Sequence, residues 1–310
     1  MKNNVLIYAI KAARPIHWIK NISLFAGILF TSTLFIPYYQ RLIFEAFLIF
    51  CFATSAGYLF NDIIDLPKDR LHPTKKNRPI ASGKLPLSLA FIEAVGLGLV
   101  SLILANSLNH LFFIAVLTYI LIQIAYSLFL KNIPIIDILA IASGFIIRVY
   151  AGAFAINAHL SVWFLLCVIS VALFLASGKR RAELSTIANA GETTRKSLSK
   201  YTKELLNSYV TMFGNAAWMS WALFTFFESP KAALPVWLIL AEISKATTIN
   251  KLLMITIPIA IFGIMRYESL IFEEKSEAPE KVLLSDIPLI FSVFLWVGIV
   301  VWVLYSGVSV

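Results

Sequence analysis

Three of the five aspartates in this chain lie in one run, Asn61-Asp62-Ile63-Ile64-Asp65-Leu66-Pro67-Lys68-Asp69. On a helix, Asp62, Asp65 and Asp69 stand at i, i+3 and i+7 and share a face, with Asn61 one turn before Asp65. Carboxylates this close repel one another unless a cation neutralises them. Hard oxygen donors without His or Cys suit Mg2+, with Mn2+ as a substitute, and Mg2+ commonly bridges one or two carboxylates to substrate phosphates. Asn61, Asp62, Asp65 and Asp69 are therefore the metal candidates. Pro67 is placed to interrupt the helix near its end and to free carbonyls. The bland alternative is a polar helix terminus facing water.

Cations follow. The run His72-Pro73-Thr74-Lys75-Lys76-Asn77-Arg78-Pro79-Ile80-Ala81-Ser82-Gly83 comes directly after the acidic one. Lys76 and Arg78 in it can hold phosphate oxygens that a metal leaves free. Charge that only sets membrane topology is the alternative. A second basic run is Gly178-Lys179-Arg180-Arg181-Ala182-Glu183. Lys179 and Glu183 are i, i+4, and Arg180 and Glu183 are i, i+3, so Glu183 can orient one base while the others face a polyanion. A run that merely stops transfer into the membrane is the alternative here. Tyr126-Ser127-x-x-x-Lys131, Asp137, Arg148 and Arg266-Tyr267 complete the polar set. Asp137 and Arg148 are about 16 Å apart along a helix, so each needs another partner. An Arg inside a membrane segment marks by default a function or a buried partner.

The elements that must position these groups are membrane helices. Hydrophobic residues make up 59% of the 310 and charged residues 14%, and the mean hydropathy is +0.83. A soluble domain is about 45–50% apolar and about 25% charged. So few charges cannot cover a soluble globule. About nine apolar runs are long enough to span, at roughly 21–38, 42–60, 87–106, 110–129, 134–155, 161–177, 208–227, 251–271 and 287–306. They do not alternate as strands of a β-barrel would. Cys51 and Cys167 fall inside such runs and read as packing residues. Segment 231–249 is apolar but too short to span, and reads as an interfacial half-helix.

The net charge of +9 is concentrated in the N-terminal segment, in 61–86 and in 178–207. These fall on one side of a nine-span chain, which the positive-inside rule places in the cytoplasm, with the C-terminus outside. The charge is thus spent on topology and anions in a bilayer, and no nucleic-acid partner is expected. The expectation is one all-α membrane domain over 1–310, with helices bundled around a central cavity open to the cytoplasmic side of the inner membrane. A homo-oligomer is compatible with it.

Several separated motifs carry a resemblance. Asn61-Asp62-x-x-Asp65-x-x-x-Asp69 followed by Asn77-Arg78-Pro79-x-x-Ser82-Gly83 resembles the first signature of the UbiA-type intramembrane prenyltransferase superfamily. Most members join a polyprenyl diphosphate to an aromatic acceptor and keep a second aspartate motif after span six. Segment 178–207 contains no aspartate. Arg14-Pro15-x-x-Trp18-x-Lys20-Asn21, the Gly178–Glu183 run, and Arg266-Tyr267 with Pro279-Glu280-x-Val282-Leu283-Leu284-Ser285-Asp286 resemble the decaprenyl-phosphate phosphoribosyltransferase branch. That resemblance implies transfer of 5-phosphoribose from phosphoribosyl diphosphate to a polyprenyl phosphate. It implies Asp62, Asp65 and Asp69 as catalytic metal-holding residues. Lys20, Asn61, Lys76, Arg78, Tyr126, Lys131, Arg148, Lys179, Arg180, Arg181, Glu183 and Arg266 become the substrate-binding set. More phosphates in the substrates call for more Arg and Lys in place of a second acidic motif. The competing expectations are ordinary prenyl transfer to an aromatic or lipid acceptor, and a transporter of phosphorylated solutes. A transporter would gather its polar groups at the midplane, whereas these clusters stand at helix ends.

Overall fold

The computed structural model describes residues 2–72, 74–190, 197–228, 252–273 and 285–305, and every regular element among them is helical. In chain order these are α1 (Lys2–Ala13), a 3-10 segment (Pro15–Phe25), α2 (Ala26–Phe30), α3 (Pro37–Ile64) and α4 (Leu66–Leu71). They continue with α5 (Leu87–Leu108), α6 (His110–Leu128), α7 (Ile136–Ala155), α8 (Val162–Ala190) and α9 (Lys203–Phe227). After a 3-10 turn at Leu252–Thr256 come α10 (Ile257–Phe272) and α11 (Ile287–Tyr305).

Seven helical stretches are long and apolar enough to cross a membrane: α3, α5, α6, α7, Val162–Ser185 of α8, Leu252–Phe272 and α11. Two of the nine expected runs are not among them. The run at 21–38 is not one helix: its 3-10 and α2 portions end before residues 31–36, where Ser32 takes a positive φ, and α3 starts afresh at Pro37. Proline suits a first helical turn because its missing N–H would be unbonded there anyway. The run at 208–227 lies within α9, which is 25 residues long but carries Lys203, Glu204, Asn207, Asn215 and Ser220. The half-helix expected at 231–249 and the Pro279–Leu284 motif lie outside the described residues.

The described residues form two compact units. The first comprises residues 2–28 and 36–158, together with Ser197. Its central helix is α3, which buries Ile43, Ala46, Phe50, Ala53, Ala56 and Leu59. Small residues let membrane helices approach closely. The closest approach is on α7, where a Cβ at Gly152 would lie 1.9 Å from the Leu24 carbonyl oxygen of the 3-10 segment. Only glycine lets that backbone lie against α7. A polar ladder holds the same segment: Trp18 Nε1 donates to Ser55 Oγ at 3.0 Å, Ser55 Oγ donates to the Ala13 carbonyl at 2.9 Å, and Thr54 Oγ1 donates to Asn21 Oδ1 at 3.3 Å.

The second unit comprises residues 29–35, 159–190, 198–228, 252–273 and 285–305. Its core packs Phe174, Val210, Tyr267, Leu270, Ile271 and Leu289. A second layer is aromatic, with Phe30 against Phe164, Trp221 and Phe224 at 4.8, 5.8 and 5.5 Å between ring centroids. At the start of α9, Thr202 accepts from the Leu205 N–H at 3.1 Å, satisfying one of the unpaired donors of the first turn.

Candidate active site

The acidic run sits where α3 ends. Asp65 caps α3 at φ −83, ψ −1, and α4 begins at the next residue with Pro67 in its first turn. The proline cannot donate to the Ile63 carbonyl, so the continuous helix stops there. The expected single face is therefore bent at Asp65, and three cations, one of them shared, meet the three carboxylates. Arg14 Nη2 donates to both oxygens of Asp62, at 2.6 and 2.8 Å. Arg78 Nη1 bridges Asp62 Oδ1 at 3.0 Å and Asp69 Oδ2 at 2.6 Å. Lys131 Nζ donates to Asp65 Oδ1 at 2.6 Å, and both residues are buried. Ser197 Oγ donates to the Lys131 carbonyl at 2.8 Å and fixes that turn. The structure thus brings together Asn61, Asp62, Asp65, Asp69, Arg78 and Lys131.

Burial pushes the Asp69 carboxyl above its ordinary range; the Arg78 guanidinium pulls it back, and Asp62 and Asp65 push it further up. Breaking a buried pair such as Asp65–Lys131 from one side costs about 3–5 kcal/mol, because the remaining charge is stranded. No three His, Cys, Asp or Glu among the described residues converge as a closed metal set. The donor chemistry nonetheless fits a hard cation: three carboxylates adjoin Asn61, whose Oδ1 is buried without a hydrogen-bond partner. The three carboxylates themselves are turned to Arg14, Arg78 and Lys131.

Arg14 was not among the substrate-binding residues expected from sequence, yet it makes the closest contacts to Asp62. It adopts a left-handed backbone, φ 55 and ψ 60, immediately before Pro15. Non-glycine residues seldom sit there. Its place in Arg14-Pro15-x-x-Trp18 was the available signal. Lys20 is half-buried on the 3-10 segment, Lys76 is exposed, and Tyr126 is half-buried near the end of α6.

Arg148 has the buried partners that an arginine inside a membrane segment calls for. It is buried on α7, donating to Asn21 Oδ1 at 2.7 Å, the Gly144 carbonyl at 2.6 Å and Tyr119 Oη at 2.8 Å, with the Tyr119 ring 4.8 Å below it. These three partners are neutral, and through them Arg148 ties the 3-10 segment to α6 and α7.

In the second unit, α8 runs on to Ala190, so Lys179, Arg180, Arg181 and Glu183 lie within the helix and not at its end. Arg180 is buried and pairs with Glu183, as the i, i+3 spacing predicts. Arg181 is buried too; its Nε donates to Asn207 Oδ1 at 2.6 Å and its guanidinium lies 5.7 Å from the Phe272 ring centroid. Asn207 is a lone residue on α9 with no sequence signal. Lys179 is half-buried and makes no ion pair among the described residues. Arg266 pairs with Asp286 through Nε at 3.1 Å and Nη2 at 2.7 Å, and Asp286 also accepts from the Leu289 N–H, capping α11.

Residues 21–241 match the model of the UbiA prenyltransferase family. The chain belongs to that family. Its UbiA membership extends to curated relatives over most of the sequence. The decaprenyl-phosphate phosphoribosyltransferase of Corynebacterium glutamicum is 37% identical over 301 residues, covering 96% of this chain and 86% of that protein. The protein of the same name from Mycolicibacterium smegmatis is 39% identical over 227 residues, covering 72% and 71%. Among solved structures, a UbiA homologue from Archaeoglobus fulgidus bound to DMAPP and Mg2+ superposes with a TM-score of 0.68 at 18% identity, covering 96% of this chain and 98% of that one. The fold is therefore the UbiA fold, and the chain is a multi-pass membrane protein of this family.

Proposed function

We propose that this UbiA-family chain transfers 5-phosphoribose from phosphoribosyl diphosphate to a polyprenyl phosphate, releasing diphosphate and giving polyprenyl-phosphoryl-ribose 5-phosphate. The observation that carries it is the run from Gly178 to Glu183. Where most of the family keeps aspartates, this chain has three consecutive cations on α8, and its relatives over nearly the whole length bear that activity in their names. A lipid phosphate oxygen attacks C1 of the ribose, the C1–O bond to diphosphate breaks, and the bond's electron pair leaves with the diphosphate. The phosphate nucleophile already carries negative charge, so no strong general base is needed.

A divalent ion, Mg2+ or in its place Mn2+, held by Asp62, Asp65, Asp69 and Asn61, would neutralise charge on the departing diphosphate. Arg78 supplies diphosphate oxygens with paired donors, and Arg14 and Lys131 orient the carboxylates. Lys179, Arg180 and Arg181, with Glu183 holding Arg180, are the cations for the remaining substrate phosphates. The positive-inside rule supports an inner-membrane protein whose basic segments face the cytoplasm. A single cysteine introduced for Thr74 and labelled by an impermeant maleimide only in inverted vesicles is the expected result; labelling in intact cells would reverse that orientation.

The deciding experiment incubates purified protein with radiolabelled phosphoribosyl diphosphate, Mg2+ and polyprenyl phosphate, and counts the extracted lipid. Label in the lipid is expected, and EDTA should abolish it. The family match favours one competing activity, transfer of a polyprenyl chain from its diphosphate to an aromatic or lipid acceptor. Prenylation of 4-hydroxybenzoate, with no label moving from phosphoribosyl diphosphate, would replace the first assignment with the second.

A further inference from the structure

The second unit holds a partly open cavity of about 320 Å³ among α8, α9, α10 and α11. Phe164, Phe174, Trp221, Tyr267, Leu289 and Trp296 are among the residues that line it. Two of its polar side chains turn to internal partners. Ser292 Oγ donates to the Leu289 carbonyl at 2.7 Å, and Trp221 Nε1 donates to Thr256 Oγ1 at 3.0 Å. The cavity therefore offers water almost nothing, and an apolar cavity of this kind stays dry or takes up hydrocarbon.

Its position relative to charge identifies the occupant. On α8 the lining residues are Phe164, Cys167, Val171, Phe174 and Leu175, a stripe of three- and four-residue steps on one face. The stripe extends about 16 Å along the axis, and its next positions are Gly178 and Lys179, about one further turn on. On α10 the lining passes through Gly263, Ile264 and Tyr267 and is continued a turn later by Ile271 and by Phe272, the ring beneath Arg181. The two helices meet at Gly178, where a Cβ would stand 2.6 Å from Ile271 Cδ1 and 3.1 Å from Tyr267 Oη. That neck is made of side-chain tips and not of backbone, so small rotations open it. Apolar cavity on one side, cations one turn beyond it on the other: this is the layout that a long-chain phosphomonoester requires.

We propose that this cavity seats the phosphate-proximal isoprene units of the polyprenyl phosphate acceptor, with Lys179 and Arg181 at its head group. The rest of the chain lies in the bilayer. This rests on the phosphoribosyl transfer proposed above and assigns the acceptor to the second unit. Glycine at 263 gives a clean probe, since an added Cβ there meets only Ser292 Oγ at an ordinary 3.5 Å. Gly263→Leu should fill the cavity and raise the KM for polyprenyl phosphate about tenfold while leaving that for phosphoribosyl diphosphate unchanged. An unchanged acceptor KM in the folded variant overturns the proposal. Photolabelling the wild-type protein provides a second measurement that does not depend on the variant's folding. A polyprenyl phosphate carrying a diazirine in its second isoprene unit should label cavity residues of α8, α10 or α11, displaced by unmodified polyprenyl phosphate and not by phosphatidylglycerol. Labelling elsewhere, or displacement by phosphatidylglycerol, overturns the proposal by marking a pocket for bulk lipid. Failure of the wild-type protein to move label from phosphoribosyl diphosphate would instead defeat the underlying activity, and the photolabelling distinguishes the two failures.

Discussion

The two units handle charge in opposite ways. In the first, Asp62, Asp65 and Asp69 are matched by Arg14, Arg78 and Lys131, so the acidic set is neutralised from within. In the second, Lys179, Arg180 and Arg181 share α8 with one carboxylate, Glu183. The acidic set, proposed above to hold metal, thus meets its cations within the first unit, whereas the cations of α8, proposed to meet substrate phosphates, outnumber the carboxylates of their own helix. Burial makes this matter, because in a low dielectric a charge stripped of its partner costs several kcal/mol.

The sharpest break of this comparison is at Asp65. Asp65→Asn should lower kcat roughly a thousandfold, about 4 kcal/mol at 1.36 kcal/mol per decade, with no rescue by excess Mg2+. A second variant separates the two roles of that carboxylate. If Asp65 only neutralises Lys131, the double variant Asp65→Asn with Lys131→Met regains activity; if Asp65 holds metal, steady-state assays find it as inactive as the single one.

Next in size is Arg180→Ala. A charge-assisted hydrogen bond contributes about 1.5–3 kcal/mol, so the KM for phosphoribosyl diphosphate should rise about ten- to hundredfold. The KM for the lipid should stay within about threefold. Equal increases in both would show that α8 serves one undivided phosphate site.

Arg148→Leu should act on stability and not on catalysis. It strands Tyr119 Oη, at a cost of about 1–3 kcal/mol, and leaves Asn21 Oδ1 with Thr54 Oγ1 as donor. A lowered thermal midpoint in detergent with both KM values unchanged is expected. A large KM increase with an unchanged midpoint would return Arg148 to the substrate-binding set. The smallest effect is expected at Lys76. It is exposed, and exposed charges contribute about 0–1 kcal/mol, so Lys76→Ala should change neither KM by more than about threefold.

Composition and periodicity were enough to establish an all-helical membrane chain, since too few charges exist to cover a soluble surface. The acidic run, Arg78, and the Arg180–Glu183 pair were legible because each depends on spacing within one or two helical turns. The run resembling the UbiA signature identified the family for the same reason: its motif is local. What sequence could not supply were relations between distant positions. Spacing placed Arg148 in a membrane helix but could not show that Asn21, 127 residues away, receives it. Lys131 as the partner of Asp65, Arg14 folded back onto Asp62, and the apolar cavity of the second unit all depend on helices meeting. Hydropathy also read residues 21–38 as one span, since an average over apolar residues does not register where a backbone turns. The close approach at Gly152 and the left-handed turn at Arg14 decide that path. Local sequence determines which residues carry charge and which face of a helix they share; only packing decides which opposite charge each one meets, because contact in three dimensions is what lowers the energy of a buried ion.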